Sequence, residues 1–155
     1  MRVKLDRRDA VVLALLQEDS SRSIAAIAEG AALSVSACQR RIKALEAAGV
    51  IAGYAARLDP EALGLEMHAI VEITLVSQSR QVLDAFEAAT LRFDEILECD
   101  LMAGRADYLL RVAAGDPKSF DDLHRNCLSQ LPGVSSMRTY FAIRKVKPWR
   151  GYRVG

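Results

Sequence analysis

The chain has 155 residues, of which 51% are hydrophobic and 26% charged, and its 21 Lys and Arg residues nearly balance 20 Asp and Glu residues, for a formal net charge of +1. The near-neutral charge excludes a strongly basic protein that coats nucleic acid. The apolar fraction excludes a disordered chain, which buries too little surface to offset its conformational entropy. No apolar run reaches the roughly 18 to 20 residues of a membrane-spanning helix, so we expect one soluble domain or two small ones.

The sequence also lacks the signs of export. The apolar residues 10–16 lie between acidic residues and are not followed by a cleavage site of small residues. Cys38, Cys99 and Cys127 are widely spaced and form no C-x-x-C pair, a pattern that indicates neither a disulfide framework nor a zinc site. We therefore predict reduced thiols in a cytoplasmic protein.

The pattern of the sequence changes near residues 58–64. Short helical periods broken by Ser and Gly occupy the first 50 residues, whereas β-rich runs alternate with helical ones after Glu66. Asp59-Pro60 and Gly64 mark the change, because the proline ring disfavours helix at the preceding residue. This division predicts a helical domain at residues 1–51, a linker at 52–64 and an α/β domain at 65–155.

Three helices are predicted in the first domain. Asp6 and Ser23 are suited to cap the first two. The third follows Ser34, a natural N-cap, and ends at Gly49, which can adopt the left-handed conformation while Val50 folds back in a Schellman motif. Because a turn of small residues precedes the third helix, this order is typical of a helix-turn-helix.

The third helix separates an apolar face from a polar one. Val35, Cys38, Ile42 and Leu45 recur at helical spacing, and residues 34–49 hold three basic residues against one acidic residue. This concentrates positive potential where the phosphates of double-stranded DNA would lie. The residues predicted to contact DNA are Ser34, Ser36, Ala37, Gln39, Arg40, Arg41 and Lys43.

The roles of these residues differ. The two serines suit phosphate contacts at the helix N-terminus, and the small Ala37 lets a backbone approach closely. The glutamine and the basic residues at 40 and 43 are candidates for base edges or flanking phosphates. For Arg41, an ion pair with Glu46 or Asp9 of the same domain is the alternative. A merely solvated amphipathic helix is the alternative for the whole face.

The second domain has the predicted order βαββαβ. The predicted strands are residues 67–76, 95–103, 107–114 and 137–146, and the predicted helices are residues 79–92 and 117–131. This order is the ferredoxin-like α+β arrangement, in which two helices cover one face of four antiparallel strands. An apolar open face would pack against a second copy, so we predict a homodimer through the sheets.

Short motifs run through both domains. They are Leu5-Asp6-x-x-Asp9, Leu33-Ser34, Cys38 with Arg41-Ile42-x-x-Leu45-Glu46, Gly49-Val50-Ile51-x-Gly53-Tyr54, Val71-Glu72-Ile73-Thr74-Leu75, Glu98-Cys99, Gly104-x-x-Asp107-Tyr108-Leu109-Leu110, Leu131-Pro132-Gly133-Val134 and Arg138-Thr139-Tyr140. Together they resemble the Lrp/AsnC family of bacterial and archaeal transcription regulators over essentially the whole chain, with a leaning toward its leucine-responsive branch.

The resemblance implies a dimer that binds operator DNA through paired helix-turn-helix units and assembles into octamers or similar rings. Residues 52–59 match the family's hinge strand, which pairs with the same strand of the partner subunit, and this gives Tyr54 a structural role. The loop between the second and third strands of the sheet forms the effector pocket where dimers meet. The positions carried over are Gly104, Arg105, Ala106, Asp107 and Tyr108, with Leu101, Met102 and Thr139 as walls.

An amino acid fits such a loop chemically, and no other cofactor or metal is expected. Backbone N–H groups at Gly104 would receive its carboxylate. Asp107 would receive its ammonium or act by holding the loop, and Arg105 either reinforces the carboxylate contact or lies in solvent. Aliphatic walls favour an apolar effector. Ala106 stands where the family commonly has an aromatic residue, so we expect a pocket of altered shape.

Three other functions are the alternatives. An enzyme is not expected, because His68 and His124 lack a nucleophile in catalytic order and no glycine-rich phosphate loop is present. A thiol-responsive regulator would use Cys38 or Cys99, for which structural burial is the ordinary interpretation. A regulator without an effector is the third. The basic run after Ile143 is either a solvated tail or an auxiliary DNA contact.

Overall fold

The computed structural model describes residues 3–154, which form two units. The helical unit comprises residues 3–57 together with 146–154, and the sheet unit comprises residues 58–145. By its contacts the C-terminal segment groups with the helical unit, whereas the prediction placed residues 65–155 in one domain. The reason is a set of contacts at residues 151–154, which are described below.

The helical unit contains the three predicted helices: α1 spans Arg7–Glu18, α2 spans Ile24–Gly30 and α3 spans Val35–Ala47. Each predicted cap is confirmed. The backbone N–H groups of Arg8 and Asp9 donate to Asp6, both at 2.8 Å. The hydroxyl groups of Ser23 and Ser34 each accept a backbone hydrogen bond in the first turn of α2 and α3, at 3.2 Å. Because the caps satisfy otherwise unpaired N–H groups, they fix where each helix begins.

The three helices enclose one small core. Its buried members are Val12, Leu13, Ile27, Ala28, Ala31, Cys38, Ile42 and Leu45. One member of the predicted apolar face is missing from it, since the first residue of α3, Val35, is 51% exposed. The helices that pack on α3 cover its middle and not its first turn.

The end of α3 is the predicted Schellman motif. Gly49 has φ +69°, its N–H donates to the carbonyl of Glu46 at 2.9 Å, and the N–H of Val50 donates to the carbonyl of Leu45, also at 2.9 Å. These two bonds satisfy carbonyl groups that the helix itself cannot pair. Both ends of α3 are thus defined by local hydrogen bonds.

The sheet unit has the predicted βαββαβ order. Its elements are β1 at Met67–Leu75, α4 at Arg80–Thr90, β2 at Ile96–Leu101, β3 at Tyr108–Ala114, α5 at Pro117–Asn126 and β4 at Val134–Phe141, with a short 3-10 helix at Leu128–Gln130 before β4. The strands lie in the order β2-β3-β1-β4 and every pair is antiparallel. The ferredoxin-like fold is therefore confirmed.

The last strand starts and ends earlier than predicted. Residues 137–146 were expected, but the chain pairs with β1 directly after Gly133, where Val134 lies opposite Leu75. Pairing ends at Ala142, whose N–H donates to the carbonyl of His68 at 2.8 Å. The tight turn at Gly133, with φ +73°, brings the strand into register sooner than its apolar pattern indicates.

The two faces of the sheet differ in chemistry. Residues that alternate along β1 and β3 are buried beneath α4 and α5; they are Ala69, Val71, Ile73, Leu75, Tyr108, Leu110, Val112 and Ala114. The open face was predicted to be apolar, and this prediction is wrong. It carries Ile70 and Leu109, but also Glu72, Arg111 and Arg138, because the alternate positions of the same strands are polar.

Two further predictions concern the segment between the units and membrane-spanning helices. Residues 52–59, which match the family's hinge strand, form no strand within this chain and are exposed, so the expected pairing requires a second subunit. Among residues 3–154 no helix is long and apolar enough to span a bilayer.

Gly49→Ala is expected to lower the free energy of unfolding of the helical unit by about 1 kcal/mol, because a side chain in the left-handed region is strained. The space around residue 49 is open, so no steric overlap contributes. Urea unfolding followed by Trp149 fluorescence measures the effect. Gly53→Ala is the control, since it meets nothing within 4 Å and has no positive φ. Equal unfolding midpoints for the two variants would contradict the role of Gly49.

Candidate functional site

The solvent face of α3 carries the predicted polar residues. Ser36, Gln39, Arg40 and Lys43 are all exposed, and Ala37 between them is half-buried. No ion pair within residues 3–154 involves the basic residues at 40 and 43. The helix therefore presents a row of free hydrogen-bond donors to a ligand outside the chain.

The two serines lie at the N-terminus of α3. The oxygen of Ser34 accepts from the N–H of Ala37 at 3.2 Å, and the hydroxyl groups of Ser34 and Ser36 are 3.3 Å apart. Accepting a bond through a lone pair leaves the O–H proton of the cap residue available for donation. Hydroxyl donors at a helix N-terminus suit a phosphate oxygen, which the helix dipole also attracts.

Arg41 differs from the other basic residues of α3, because its guanidinium is bonded within the domain. Its Nη1 donates to Asp6 Oδ2 at 2.7 Å and to Asp9 Oδ1 at 2.6 Å. This is the ion pair within the domain that was the alternative for Arg41, and its contact with DNA stays a prediction. The N–H of Asp9 and the guanidinium of Arg41 together lower the pKa of Asp6. The pair ties α3 to the first turn of α1.

The thiols do not have the character of a sensor. Cys38 and Cys127 are buried, and burial raises the pKa of both, that of Cys127 to about 11. Cys99 is exposed, contrary to the expected burial, and its pKa is also raised, chiefly by desolvation. Since the thiolate is the reactive form, raised pKa values make all three thiols less reactive.

Asp107 fixes the loop between β2 and β3. Its carboxylate accepts from the N–H of Leu75 and from Nε2 of Gln78, both at 2.7 Å. Its own N–H donates to Ile73 and its carbonyl accepts from Met102, both at 2.8 Å. Asp107 is buried, and both of its carboxylate oxygens are occupied within the chain. Asp107 therefore holds the loop in place, as one of its two predicted roles requires, and its direct contact with an ammonium group stays a prediction.

A polar cavity of about 190 Å³ opens beside this loop, on the open face of the sheet. It brings two predicted residues, Arg105 and Ala106, together with four that the sequence did not indicate. Those four come from β1 and β4, and they are Glu72, Thr74, Ser136 and Arg138. One carboxylate and two guanidinium groups thus surround a space of molecular size.

The other predicted pocket residues lie elsewhere. Tyr108 is 1% exposed and packs on Phe86 with ring centroids 4.5 Å apart, beneath the helices. Its hydroxyl donates to Glu87 at 2.7 Å, and burial raises its pKa. Leu101 pairs with Tyr108 and Thr139 with Val71, so both point away from the open face. Alternation along a strand separates neighbours in sequence, which is why one run could not line one cavity.

Two further loop residues are exposed but outside the cavity. Met102 is 40% exposed and does not line it. Gly104 has open space around it and no positive φ, so its turn does not require a glycine. The signal that could have found the missing residues is the register: Glu72 lies opposite Arg138 and Thr74 opposite Ser136 on the polar side of two paired strands.

Comparison with known proteins places both units. The sequence model of the Lrp/AsnC ligand binding domain matches residues 68–152, and that of a winged helix-turn-helix DNA-binding domain matches residues 5–52. The HTH-type transcriptional regulator y4sM of Sinorhizobium fredii is 47% identical over 74% of this chain and 90% of its own length. The leucine-responsive regulatory protein of Haemophilus influenzae is 40% identical over 92% of this chain and 86% of its own.

A solved structure agrees over both units. A transcriptional regulator of Neisseria meningitidis, determined as a complex with L-Met, matches with a TM-score of 0.88 and 31% identity, and the match covers 94% of each chain.

Asp107→Ala is expected to lower the free energy of unfolding of the sheet unit by about 2 kcal/mol, because the buried N–H of Leu75 loses its acceptor. Urea unfolding followed by circular dichroism measures the loss. The control is Asp100→Ala, whose carboxylate is exposed on β2 and should matter by less than about 0.5 kcal/mol. Equal midpoints for both variants would show that Asp107 does not hold the loop.

Proposed function

The chain belongs to the Lrp/AsnC family of transcriptional regulators, and from this premise we propose that α3 reads operator DNA while the cavity beside Arg105 binds an amino-acid effector. DNA-binding regulation of transcription is the function of the family, and nothing in the relatives' names indicates an enzyme. The finer assignments, residue by residue, are our proposal. We place this activity in the cytoplasm, together with the DNA on which it acts.

The observation that carries the DNA assignment is the exposed face of α3. A helix whose buried side is fixed by Cys38, Ile42 and Leu45 must turn its other side to solvent. That side holds Gln39 and Arg40, which can make paired hydrogen bonds to base edges in the major groove. Lys43 and the two serines suit flanking phosphates, and Ala37 permits close approach.

A second subunit completes this proposal. The exposed residues 52–57 border a groove of about 870 Å³ in the helical unit, lined mostly by apolar side chains. Pairing with the same segment of a partner subunit would cover it. Tyr54 is already held there, since its hydroxyl donates to Glu46 at 2.8 Å, and burial together with this carboxylate raises its pKa to about 12. Two α3 helices then reach half-sites separated by about one helical turn, 34–36 Å, or a multiple of it.

The cavity on the open sheet face suits the two charged ends of a free amino acid. Arg105 and Arg138 can bind its carboxylate, and Glu72 can accept from its ammonium. The hydroxyl of Tyr140 donates to Glu72 at 3.2 Å and orients that carboxylate. These groups recognise any amino acid by its main chain. What supports an apolar side chain is the L-Met bound by the Neisseria meningitidis regulator.

The remaining parts of the proposal concern assembly and the alternatives. Rings of dimers, such as an octamer, are proposed on the family resemblance. A thiol response is disfavoured, because Cys38 on α3 is buried with a raised pKa. A regulator without an effector is the second candidate, and a screen of amino acids against the folded protein decides between the two.

Replacement of Arg40 or Lys43 by Ala is expected to weaken binding to the DNA upstream of the protein's own gene by about tenfold. The slope of log Kd against log salt should fall by about 1 for each phosphate that the variant no longer neutralises. Fluorescence anisotropy titrations at several salt concentrations measure both. Arg80→Ala removes the same charge from an exposed position of the sheet unit and should change neither quantity. Unchanged titrations for both α3 variants would remove the assignment.

Arg41→Ala separates structure from recognition. Because Arg41 holds Asp6 and Asp9, this variant is expected to lower the urea midpoint of the helical unit while leaving the salt slope of the folded protein as in the wild type. A normal midpoint together with a reduced salt slope would place Arg41 at the DNA interface.

A thermal-shift screen of the common amino acids tests the effector. A ligand at a concentration 100 times its Kd stabilises the folded state by about 2.7 kcal/mol, which raises Tm measurably. Glu72→Gln and Arg138→Ala are expected to abolish the shift. The control is Arg111→Ala, which removes a guanidinium from the same sheet face but outside the cavity. If no amino acid shifts the wild-type protein, the regulator without an effector is the correct interpretation.

A further inference from the structure

The two units carry net charges of opposite sign. Residues 1–57 and 146–155 together hold 12 basic and six acidic residues, a net charge of +6, whereas residues 58–145 hold nine basic and 14 acidic residues, a net charge of −5. Three of the 12 basic residues come from the C-terminal segment. The overall charge of +1 therefore hides a basic helical unit, and residues 146–154, here named the strap, contribute to it.

The strap is docked on α1 by specific hydrogen bonds. Nε2 of Gln17 donates to the carbonyl of Tyr152 at 2.9 Å, and the N–H of Tyr152 donates to Oε1 of Gln17 at 2.7 Å. One side chain thus pairs both polar groups of one backbone residue. Val154 also packs against the helical core. These contacts hold the end of the strap at one place on the unit.

Gly151 allows this docking. Its φ of +100° is rarely adopted by residues with a side chain. A Cβ at position 151 would lie 2.7 Å from Cδ of Gln17, inside van der Waals contact. The glycine is therefore required by the close approach of the strap to α1.

The basic side chains of the strap form no ion pair with the part of the chain that the structure describes. They are Lys147, Arg150 and Arg153, and all three are exposed. The acidic residues nearest along α1 are already engaged, since Glu18 pairs with Arg22 at 2.8 Å and Asp19 accepts from the N–H and the hydroxyl of Ser21. No acidic residue follows position 122 in the sequence.

We propose that the strap is a second DNA contact of the helical unit, in which Lys147, Arg150 and Arg153 bind the phosphate backbone outside the site read by α3. The partner is identified by charge: three unpaired cations, on the unit that carries the recognition helix, match a polyanion. Docking through Gln17 matters because it fixes these cations relative to α3, so that both contacts act on one duplex with a smaller loss of chain entropy. This inference rests on the DNA binding proposed above and extends it.

The first test removes the strap charges. A variant with Lys147→Ala, Arg150→Ala and Arg153→Ala is titrated against a labelled duplex of arbitrary sequence between about 50 and 200 mM KCl, and the slope of log Kd against log salt is compared with that of the wild type. The expected slope is smaller by about 1 to 3 per bound chain, since each phosphate left without its cation lowers the slope by about 0.9.

A matched control removes the same charge from the other unit. Arg80→Ala, Arg92→Ala and Lys118→Ala lie at exposed positions of the sheet unit, and this triple variant is expected to keep the wild-type slope. If the two triple variants reduce the slope equally, the effect is one of overall charge, and the strap is not a distinct contact.

The second test releases the strap without removing charge. Gln17→Ala removes the two hydrogen bonds to Tyr152, and Gly151→Ala blocks the same approach. Trp149 is the sole tryptophan of the chain and lies in the strap, 66% exposed and 4.8 Å from the ring of Tyr152. Its emission and anisotropy report undocking directly, and circular dichroism shows whether the variants remain folded.

Gln17→Ala and Gly151→Ala are each expected to reduce the slope of log Kd against log salt. Removal of the three strap charges should then lower this slope by much less in the Gln17→Ala protein than in the wild type. If removal of the strap charges lowers the slope of the Gln17→Ala protein as much as that of the wild type, docking has no role in DNA binding. A wild-type protein that binds DNA, with a slope unchanged in the strap variant, would overturn the inference alone. A wild-type protein that binds no DNA would overturn the proposed function as well.

Discussion

The structure depends on a sheet that is covered on one face only. Every second residue of the two central strands packs under α4 and α5, so the residues between them must lie on the open face. In β1 that alternation places Val71 and Ile73 in the core and Glu72 and Thr74 outside it. The register of β4 then brings Ser136 and Arg138 opposite them. The polar cavity is thus a direct consequence of strand pairing, and Asp107 holds the loop that closes it.

The helical unit uses a different device to present its functional face. Its core is small, so α3 is positioned by defined ends and by the ion pairs of Arg41 as well as by apolar contacts. Ser34 and Gly49 fix the ends, and Arg41 reaches Asp6 and Asp9 at the start of α1. Because Asp6 also caps α1, a single carboxylate serves both helix initiation and the placement of α3. Gln39, Arg40 and Lys43, which we propose contact DNA, form no ion pair with the residues that the structure describes.

Local signals in the sequence were sufficient for most of the fold. The three N-caps, the Schellman end of α3 and the βαββαβ order follow from residue types at fixed spacing, and all are confirmed. The candidate site was less predictable, since it forms between strands that are distant in sequence. Tyr108 and Thr139 lie in the correct segments but face the core, whereas Glu72 and Arg138 could be assigned only once the register was known. Arg41 shows the same limit, because its partners are 32 and 35 residues away.

The strap is joined by a short stretch of chain to β4, which lines the polar cavity. Arg138 lines the cavity on β4, and Trp149 lies 11 residues further along the chain, in the segment that docks on α1. No regular element intervenes after Phe141 in the described part of the chain. If the position of β4 and the docking of the strap are coupled, a ligand that binds one position of β4 more tightly also shifts the docking equilibrium of the strap. The chain therefore passes between the units twice, after residue 57 and after residue 145, and the amino-acid response that we propose has a second covalent route to the helical unit.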